Sequence, residues 1–155
     1  MEGSRHNKIS ELTRGEMERF LGQNTLGRLG LCLGNSPYVV PISYIYHDNK
    51  VYFHMTTKGK KVEFIQGNSQ ACFEVDEWGE TGWLSVICYG KASLHDDFET
   101  KKKAFEILSG FYQTGQRIPD ERIKNMNIYI GVIEIEQMTG RRGLMAKPMP
   151  EAQEV

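Results

Sequence analysis

The sequence predicts a mainly β fold: a small six-stranded antiparallel barrel, with flanking helices over its openings. Three observations carry this. Short segments rich in Val, Ile, Tyr and Phe recur at close spacing from Arg28 to Glu136. Turn chemistry leaves only a few residues between several of them, which favours hairpins and so antiparallel pairing. Two segments, after Thr13 and after Asp96, instead space their apolar residues at the helical period.

The elements follow in order. Thr13-Arg14-Gly15-Glu16 is a capping box, in which the Thr and the third-position Glu satisfy each other's backbone donors. Met17, Phe20 and Leu21 then share one helical face, and Gly22 ends the helix. Arg28–Leu33 is the first strand and Tyr38–His47 the second. Asp48-Asn49 is a two-residue hairpin turn, because both residues tolerate positive φ. Val51–Met55 is the third strand. Lys58–Gln66 is a short helix packed through Val62 and Ile65. Gln70–Asp76 is the fourth strand, Trp78–Gly82 a loop, and Trp83–Leu94 a long fifth strand interrupted by Gly90. Asp96 caps the next helix, with Glu99 three residues on. Phe98, Phe105 and Leu108 form its apolar face, and Lys101-Lys102-Lys103 point to solvent. A helical turn follows Pro119. Ile128–Glu136 is the last strand, with Ile133 and Ile135 on one face and Glu134 and Glu136 on the other. Residues 1–10 and 147–155 have little to bury and are expected to be loose tails.

At 155 residues the chain is expected to form one domain. Hydrophobic residues at 39% and charged residues at 25% exclude a disordered or fibrous chain. A net charge of −1 argues against a nucleic-acid binder, which carries a basic excess. No apolar run approaches the ~20 residues of a membrane span, so no membrane role is expected. The polar N-terminus has no apolar signal core, and Cys32, Cys72 and Cys88 form no CxxC pair. Both point to free thiols in a reducing, cytoplasmic setting. The cysteines and the histidines His6, His47, His54 and His95 give no metal-ligand spacing. No nucleophile elbow and no Walker loop is present.

Four features could carry chemistry. Thr56-Thr57-Lys58-Gly59-Lys60-Lys61 follows a strand and opens a helix. Lysines in a first helical turn oppose the helix dipole, at up to ~1 kcal/mol each. The free N–H groups there favour an anion such as phosphate, and Thr hydroxyls and Gly fit that reading. The plainer alternative is that these lysines point to water or that the helix starts later. Pro41, inside Val39–Tyr44, marks an edge, a bulge or a break. A break would offer backbone groups to a flat heteroaromatic ring; an edge proline would not. His54 ends a strand just before the Thr/Lys segment, as a structural histidine or as part of a site. Arg141-Arg142 is either a phosphate contact or a solvated pair.

The order of these features resembles a known family. Gly27-Arg28-Leu29-Gly30, Tyr38-Val39-Val40-Pro41-Ile42-Ser43-Tyr44, Val51-Tyr52-Phe53-His54, Gly59-Lys60-Lys61, and Ser85-Val86 with Gly90 resemble the FMN-binding split-barrel superfamily, which includes pyridoxamine 5'-phosphate oxidase. Within it the chain looks most like the nitroimidazole-resistance (Nim) group of flavin-nucleotide-binding proteins. The resemblance spans roughly residues 11 to 140. It implies a homodimer with FMN at the subunit interface and a small-molecule substrate. It places Val40 and the Pro41-Ile42-Ser43 backbone at the isoalloxazine ring. His54, Met55, Thr56 and Thr57 would follow the ribityl chain, and Lys60 and Lys61 would hold the phosphate. Ser85 and Val86 would lie on the far side of the flavin. His54 would sit beside flavin and substrate, as the candidate catalytic residue. The implied activity is an FMN-dependent oxidoreductase acting on nitroaromatic compounds. The alternatives are a flavin carrier or sensor without turnover, or a split barrel that binds haem through His54.

Overall fold

The structure, a computed structural model, describes residues 9–112 and 115–144. Its elements are β1 (Ser10–Glu11), α1 (Arg14–Gln23), β2 (Leu26–Leu33), β3 (Ser36–Ser43), β4 (Ile45–His47), β5 (Lys50–Thr56), α2 (Lys60–Gly67), β6 (Gln70–Trp78), β7 (Gly82–His95), α3 (Phe98–Tyr112), α4 (Asp120–Lys124) and β8 (Ile128–Leu144). The strands form one antiparallel sheet in the order β3-β2-β6-β7-β8-β5-β4, with β1 paired to β8. The mainly β reading with flanking helices holds, with eight strands where six were expected.

The two added strands have separate causes. Ser10 and Glu11 pair with Arg142 and Arg141, so the chain is ordered before the capping box and residue 10 is not a loose tail. The other expected tail, 147–155, lies outside the described residues. The expected strand Tyr38–His47 splits at Tyr44. The Tyr44 N–H donates to Thr25 O at 2.9 Å, and its hydroxyl donates to Leu21 O at 2.8 Å. Its buried ring meets Phe73 edge-on at 4.7 Å. The Tyr44 N–H thus extends the β2–β3 ladder one rung beyond Leu26↔Ser43, while its hydroxyl is held by α1. The two halves, β3 and β4, stand at opposite ends of the sheet path. The bend at Tyr44 therefore carries one chain segment from one sheet edge to the other, and that closes the barrel.

Pro41 makes no break. It lies opposite Arg28 in a register that runs without a shift from Leu26↔Ser43 to Leu33↔Ser36. It is an edge proline, as β3 is an end strand. Gly90 does not interrupt its strand either. The β7–β8 register shifts between Tyr89 and Gly90 in a β-bulge. A Cβ at Gly90 would lie 1.9 Å from Glu134 O, so only glycine allows the strands to approach there. Trp78 is the last residue of β6, opposite Trp83, and the two rings stack at 5.6 Å.

The main core holds fully buried Leu21, Leu29, Phe73, Val75 and Ile133. Each such side chain contributes roughly 1.5–3 kcal/mol. A second cluster joins α3 to the outside of the β5–β8 pair through Ala104, Tyr52, Ile130 and Val132. Asp97, not Asp96, caps α3: its Oδ2 accepts from the Thr100 N–H and hydroxyl, both at 2.9 Å. Lys101 does not point to solvent. It is 5% exposed, on the same face as Ala104, and its Nζ donates to Met126 O at 2.9 Å. Lys102 reaches Asp120 at 3.5 Å, and Lys103 is exposed. Lys101 and Lys102 thus fasten α3 to the α4 region from two points.

Candidate functional site

Two helix starts flank the barrel. α1 begins as expected: Glu16 N–H donates to Thr13 Oγ1 at 3.3 Å, and Thr13 N–H donates to Glu16 Oε2 at 2.8 Å. The helix runs one residue past Gly22, to Gln23. α2 begins at Lys60, so Lys60 and Lys61 lie in its first turn and Lys58 lies before it. Its N-cap is Gly59, with φ 116° and no side chain to cap the open N–H groups. That φ lies where L side chains are rare, which explains the glycine. Thr56 Oγ1 donates to Lys58 O at 2.9 Å and tightens the approach.

Among the described residues no carboxylate pairs with Lys58, Lys60 or Lys61. Lys60 Nζ sits 4.9 Å from the Tyr38 ring centroid and 5.5 Å from that of Phe64. This cation–π contact ties the start of α2 to β3. Lys58, Gly59 and Lys60 line an open groove of about 870 Å³ with Ser36 and Glu63. Uncapped N–H groups beside ammonium groups without a carboxylate partner have the chemistry that suits an anion.

A second cavity, of about 290 Å³, opens between the Tyr44 bend, β5 and α3. Ser43 and His54 line it together with Tyr52, Phe105, Leu108 and Ile130. The structure thus brings Ser43 and His54 to one cavity and places Lys60 at another. Met55 and Val86 have their side chains in the core, at 4% and 0% exposure. Only their backbone could meet a ligand. Ile42 is likewise buried, whereas Pro41, Ser43, His54 and Thr56 are exposed and Val40, Thr57 and Lys61 are half-buried.

Ser85 lies elsewhere. It is half-buried in a groove of about 590 Å³ with Tyr89, Met138 and Arg141. β2 and β6 separate its strand from β3. Three strand spacings put it roughly 14 Å from Ser43 across the sheet. On the same outer face Arg28 bridges Asp76 at 2.5 Å and Glu74 at 3.3 Å. The Asp76 charge raises the Arg28 guanidinium further above its ordinary range. Burial, followed by the Asp76 charge, raises Glu74 despite Arg28. Arg142 pairs with Glu16, while Arg141 is exposed.

Cys88 is fully buried, and burial pushes its thiol up to about 12, so it is no nucleophile at neutral pH. Among the described residues no group of three or more His, Cys, Asp or Glu could hold a metal ion. No helix of the described residues is long and apolar enough to cross a membrane. The roles of Phe105 and Leu108 in the second cavity were hidden in the sequence, where their spacing reads as an ordinary core-facing stripe.

Comparison with known proteins converges on this architecture. A relative from Rhizobium meliloti, itself uncharacterized, is 24% identical over 144 residues, covering 86% of this chain and 94% of its own. Among solved structures, a candidate 5-nitroimidazole antibiotic resistance protein from Bacteroides thetaiotaomicron has a TM-score of 0.75 at 23% identity. That match covers 93% of this chain and 98% of the other. A FAD-binding protein from Mesorhizobium loti has a TM-score of 0.69 at 29% identity, covering 86% and 97%. The pyridoxamine 5'-phosphate oxidase family matches residues 13–142, from the capping threonine to the arginine that pairs with the first helix. With most of its length matched, this chain belongs to the pyridoxamine 5'-phosphate oxidase family.

Proposed function

We propose that this protein is a flavin-dependent oxidoreductase, holding FMN at a homodimer interface and reducing small nitroaromatic, nitroimidazole-like compounds in the cytoplasm. The observation that carries the reading is the start of α2: a side-chain-free cap at Gly59 beside Lys58, Lys60 and Lys61, none of them paired to a carboxylate among the described residues. These residues fit the phosphate of a flavin nucleotide. The family membership and the FAD-binding relative support a flavin. The resistance protein of the same fold motivates the nitroaromatic substrate.

The dimer is supported by the separation of the expected flavin contacts. Ser43 and Ser85 stand on one sheet face but three strands apart, so a second copy would supply Ser85 to a ring bound near Ser43. That face also exposes Leu26, Val39 and Tyr89 at 58%, 68% and 45%. Covering such apolar surface favours association.

When bound, the flavin supplies the electron-transfer chemistry. Lys60, Lys61 and the open N–H groups of α2 hold the phosphate. Ser43 and the free edge of β3 orient the ring. His54, which lines the second cavity, would face a substrate bound there.

The test is the visible spectrum of the freshly purified protein, then titration with FMN and light scattering. A two-band flavin profile, FMN uptake and twice the chain's mass are expected. The reduced flavoprotein should then be reoxidised by 2-methyl-5-nitroimidazole without oxygen. A Soret band would replace the flavin reading by haem. Reoxidation by oxygen alone would leave a flavin carrier.

A further inference from the structure

The charged cluster on the outer sheet face stands in the middle of the apolar patch on that face. Arg28, Glu74 and Ile87 lie side by side on β2, β6 and β7. Two residues along, the next row on the same face runs Val39, Gly30, Cys72, Tyr89. Leu26 precedes Arg28 on that face of β2. Strand spacing puts Glu74 about 8 Å from Leu26 and from Tyr89, and about 12 Å from Val39. These are the exposed apolar residues of the face, so whatever covers them covers Glu74 as well. The cluster holds two carboxylates and one guanidinium: Arg28 meets Asp76 at 2.5 Å and Glu74 at 3.3 Å. Among the described residues no second cation pairs with either carboxylate. The Glu74 side chain is 27% exposed, so in a single chain water still screens the extra charge. The other titratable or charged groups facing Glu74 are Cys72 on its own strand, Tyr89 on β7 and, beyond Ser85, Arg141 on β8. Burial, followed by the Glu74 charge, holds the Cys72 thiol above its ordinary value of 9.0, so it stays protonated near neutrality. His95, which ends β7, lies about 20 Å along that strand from Tyr89.

We propose that a second copy of the chain covers this cluster and that a proton on Glu74 controls the pairing, so that the two chains associate more tightly as pH falls. The inference rests on the homodimer reading and adds its regulation. Each copy brings one guanidinium and two carboxylates to the contact, so each brings one negative charge without a cation. Excluding water from such a carboxylate opposes association. A proton on Glu74 removes the opposition and leaves Arg28 and Asp76 as a matched pair. Glu74 is the carboxylate that takes it. Its contact with Arg28 is the longer one, and burial, followed by the Asp76 charge, already raises it in the single chain. Covering by a second copy raises it further. The paired state then binds more protons than the separate chains, and falling pH drives association. Because the ring site takes Ser85 from the second copy, the same proton links acidity to flavin retention.

The experiment measures the dimer dissociation constant of the full chain at about pH 5.5 and about pH 7.5, with and without FMN, by diluting two fluorophore-labelled populations together. Wild type should pair about tenfold or more tightly at the lower pH. Glu74→Gln should pair at the higher pH as tightly as wild type does at the lower, and should change little between them. Val39→Asp, which adds a carboxylate to the same face, should weaken pairing about tenfold or more at the higher pH. Where dilution leaves the dimer intact, the exchange rate between the labelled populations gives the reading. It should be slower at the lower pH in wild type and equal at both in Glu74→Gln. A wild-type dimer of equal strength at both pH values would overturn the proposal and leave the homodimer reading standing. Stronger pairing at the higher pH would overturn it too, because a cation of the second copy would then complete the cluster. A pH effect that needs FMN belongs to the phosphate, and one that persists in Glu74→Gln belongs to another group; either result overturns the proposal. Undiminished pairing in Val39→Asp would put the second copy on another face, with the same consequence. A chain that stays single at every pH and concentration sinks the homodimer reading itself, and the proposal with it.

Discussion

The first helix and the second helix of this barrel start in opposite ways. At α1, Thr13 and Glu16 bond each other's backbone, and Arg142 from β8 adds an ion pair to the same carboxylate. The side chains that cap it, Thr13 and Glu16, are both engaged within the chain. At α2, the cap residue Gly59 has no side chain, and the first turn carries Lys60 and Lys61. Its N–H groups have no side-chain cap, and among the described residues its lysines have no carboxylate partner. A helix start that closes on itself serves the fold. One left open against the dipole rule weakens the fold slightly and is useful only when an anion completes it. The open end also sits where β5 leaves the sheet, so a rigid strand aims it.

The largest effect that would break this contrast is on nucleotide binding. Charge-assisted hydrogen bonds to phosphate are worth about 1.5–3 kcal/mol, so Lys61→Met should weaken FMN about 10- to 100-fold. Riboflavin, which lacks the phosphate, should bind the variant and the wild type alike. Parallel titrations decide the matter, and equal losses for both ligands would mean that Lys61 does not read phosphate.

A smaller effect is expected at the neighbouring glycine. A Cβ at Gly59 would meet nothing within 4 Å, so the cost of Gly59→Ala is purely conformational. Holding alanine at φ 116° costs of the order of 1–3 kcal/mol. Denaturant unfolding of the FMN-free protein should show that loss. An unchanged midpoint would mean that the loop relaxes to another conformation and that the open cap is not imposed by the fold.

The contrast also shows what a sequence displays and what it conceals. The capping box at Thr13 was legible because all its partners lie within three residues. So was the Asp48-Asn49 turn, where both residues adopt positive φ at 48° and 59°. The lysines at the start of α2 were legible for the same local reason, although the helix begins two residues later than expected. The bend at Tyr44 was not, because the partner of its hydroxyl is Leu21 O, on the preceding helix. Lys101 read as solvated because its partner carbonyl lies 25 residues away. The cavity under α3 was hidden for a related reason. Phe105 and Leu108 satisfy the helical period whether they fill a core or leave a space, and only the position of the Tyr44 bend decides between the two.

A third prediction removes the closed cap. Thr13→Ala should destabilise the protein by about 1 kcal/mol. FMN affinity should not change, since α1 turns no free donor toward the lysine groove. Urea unfolding and an FMN titration of the same variant check both halves. A drop in FMN affinity comparable with that of Lys61→Met would erase the distinction between the two helix starts.

The smallest effect is a pH dependence confined to α1. The Thr13 backbone N–H, followed by the Arg142 side chain, holds the Glu16 carboxyl below its ordinary value of 4.5. A carboxylate with a lowered folded-state pKa adds stability that is complete above the ordinary value. It is lost as pH falls through the lowered one. Glu16 is half-buried and its carboxylate is still reached by solvent, which screens the effect, so the change is modest. Glu16→Gln keeps the geometry of a capping box but cannot titrate. At neutral pH the wild type should melt slightly higher than Glu16→Gln. Below pH 4.5 the two melting curves should converge, with hydrogen exchange in α1 accelerating in the wild type only. The cap of α2 offers no such group, because Gly59 has no side chain to titrate. If exchange in the first turn of α2 accelerates over the same pH window, a carboxylate closes that end as well. The open cap would then be no different in kind from the closed one.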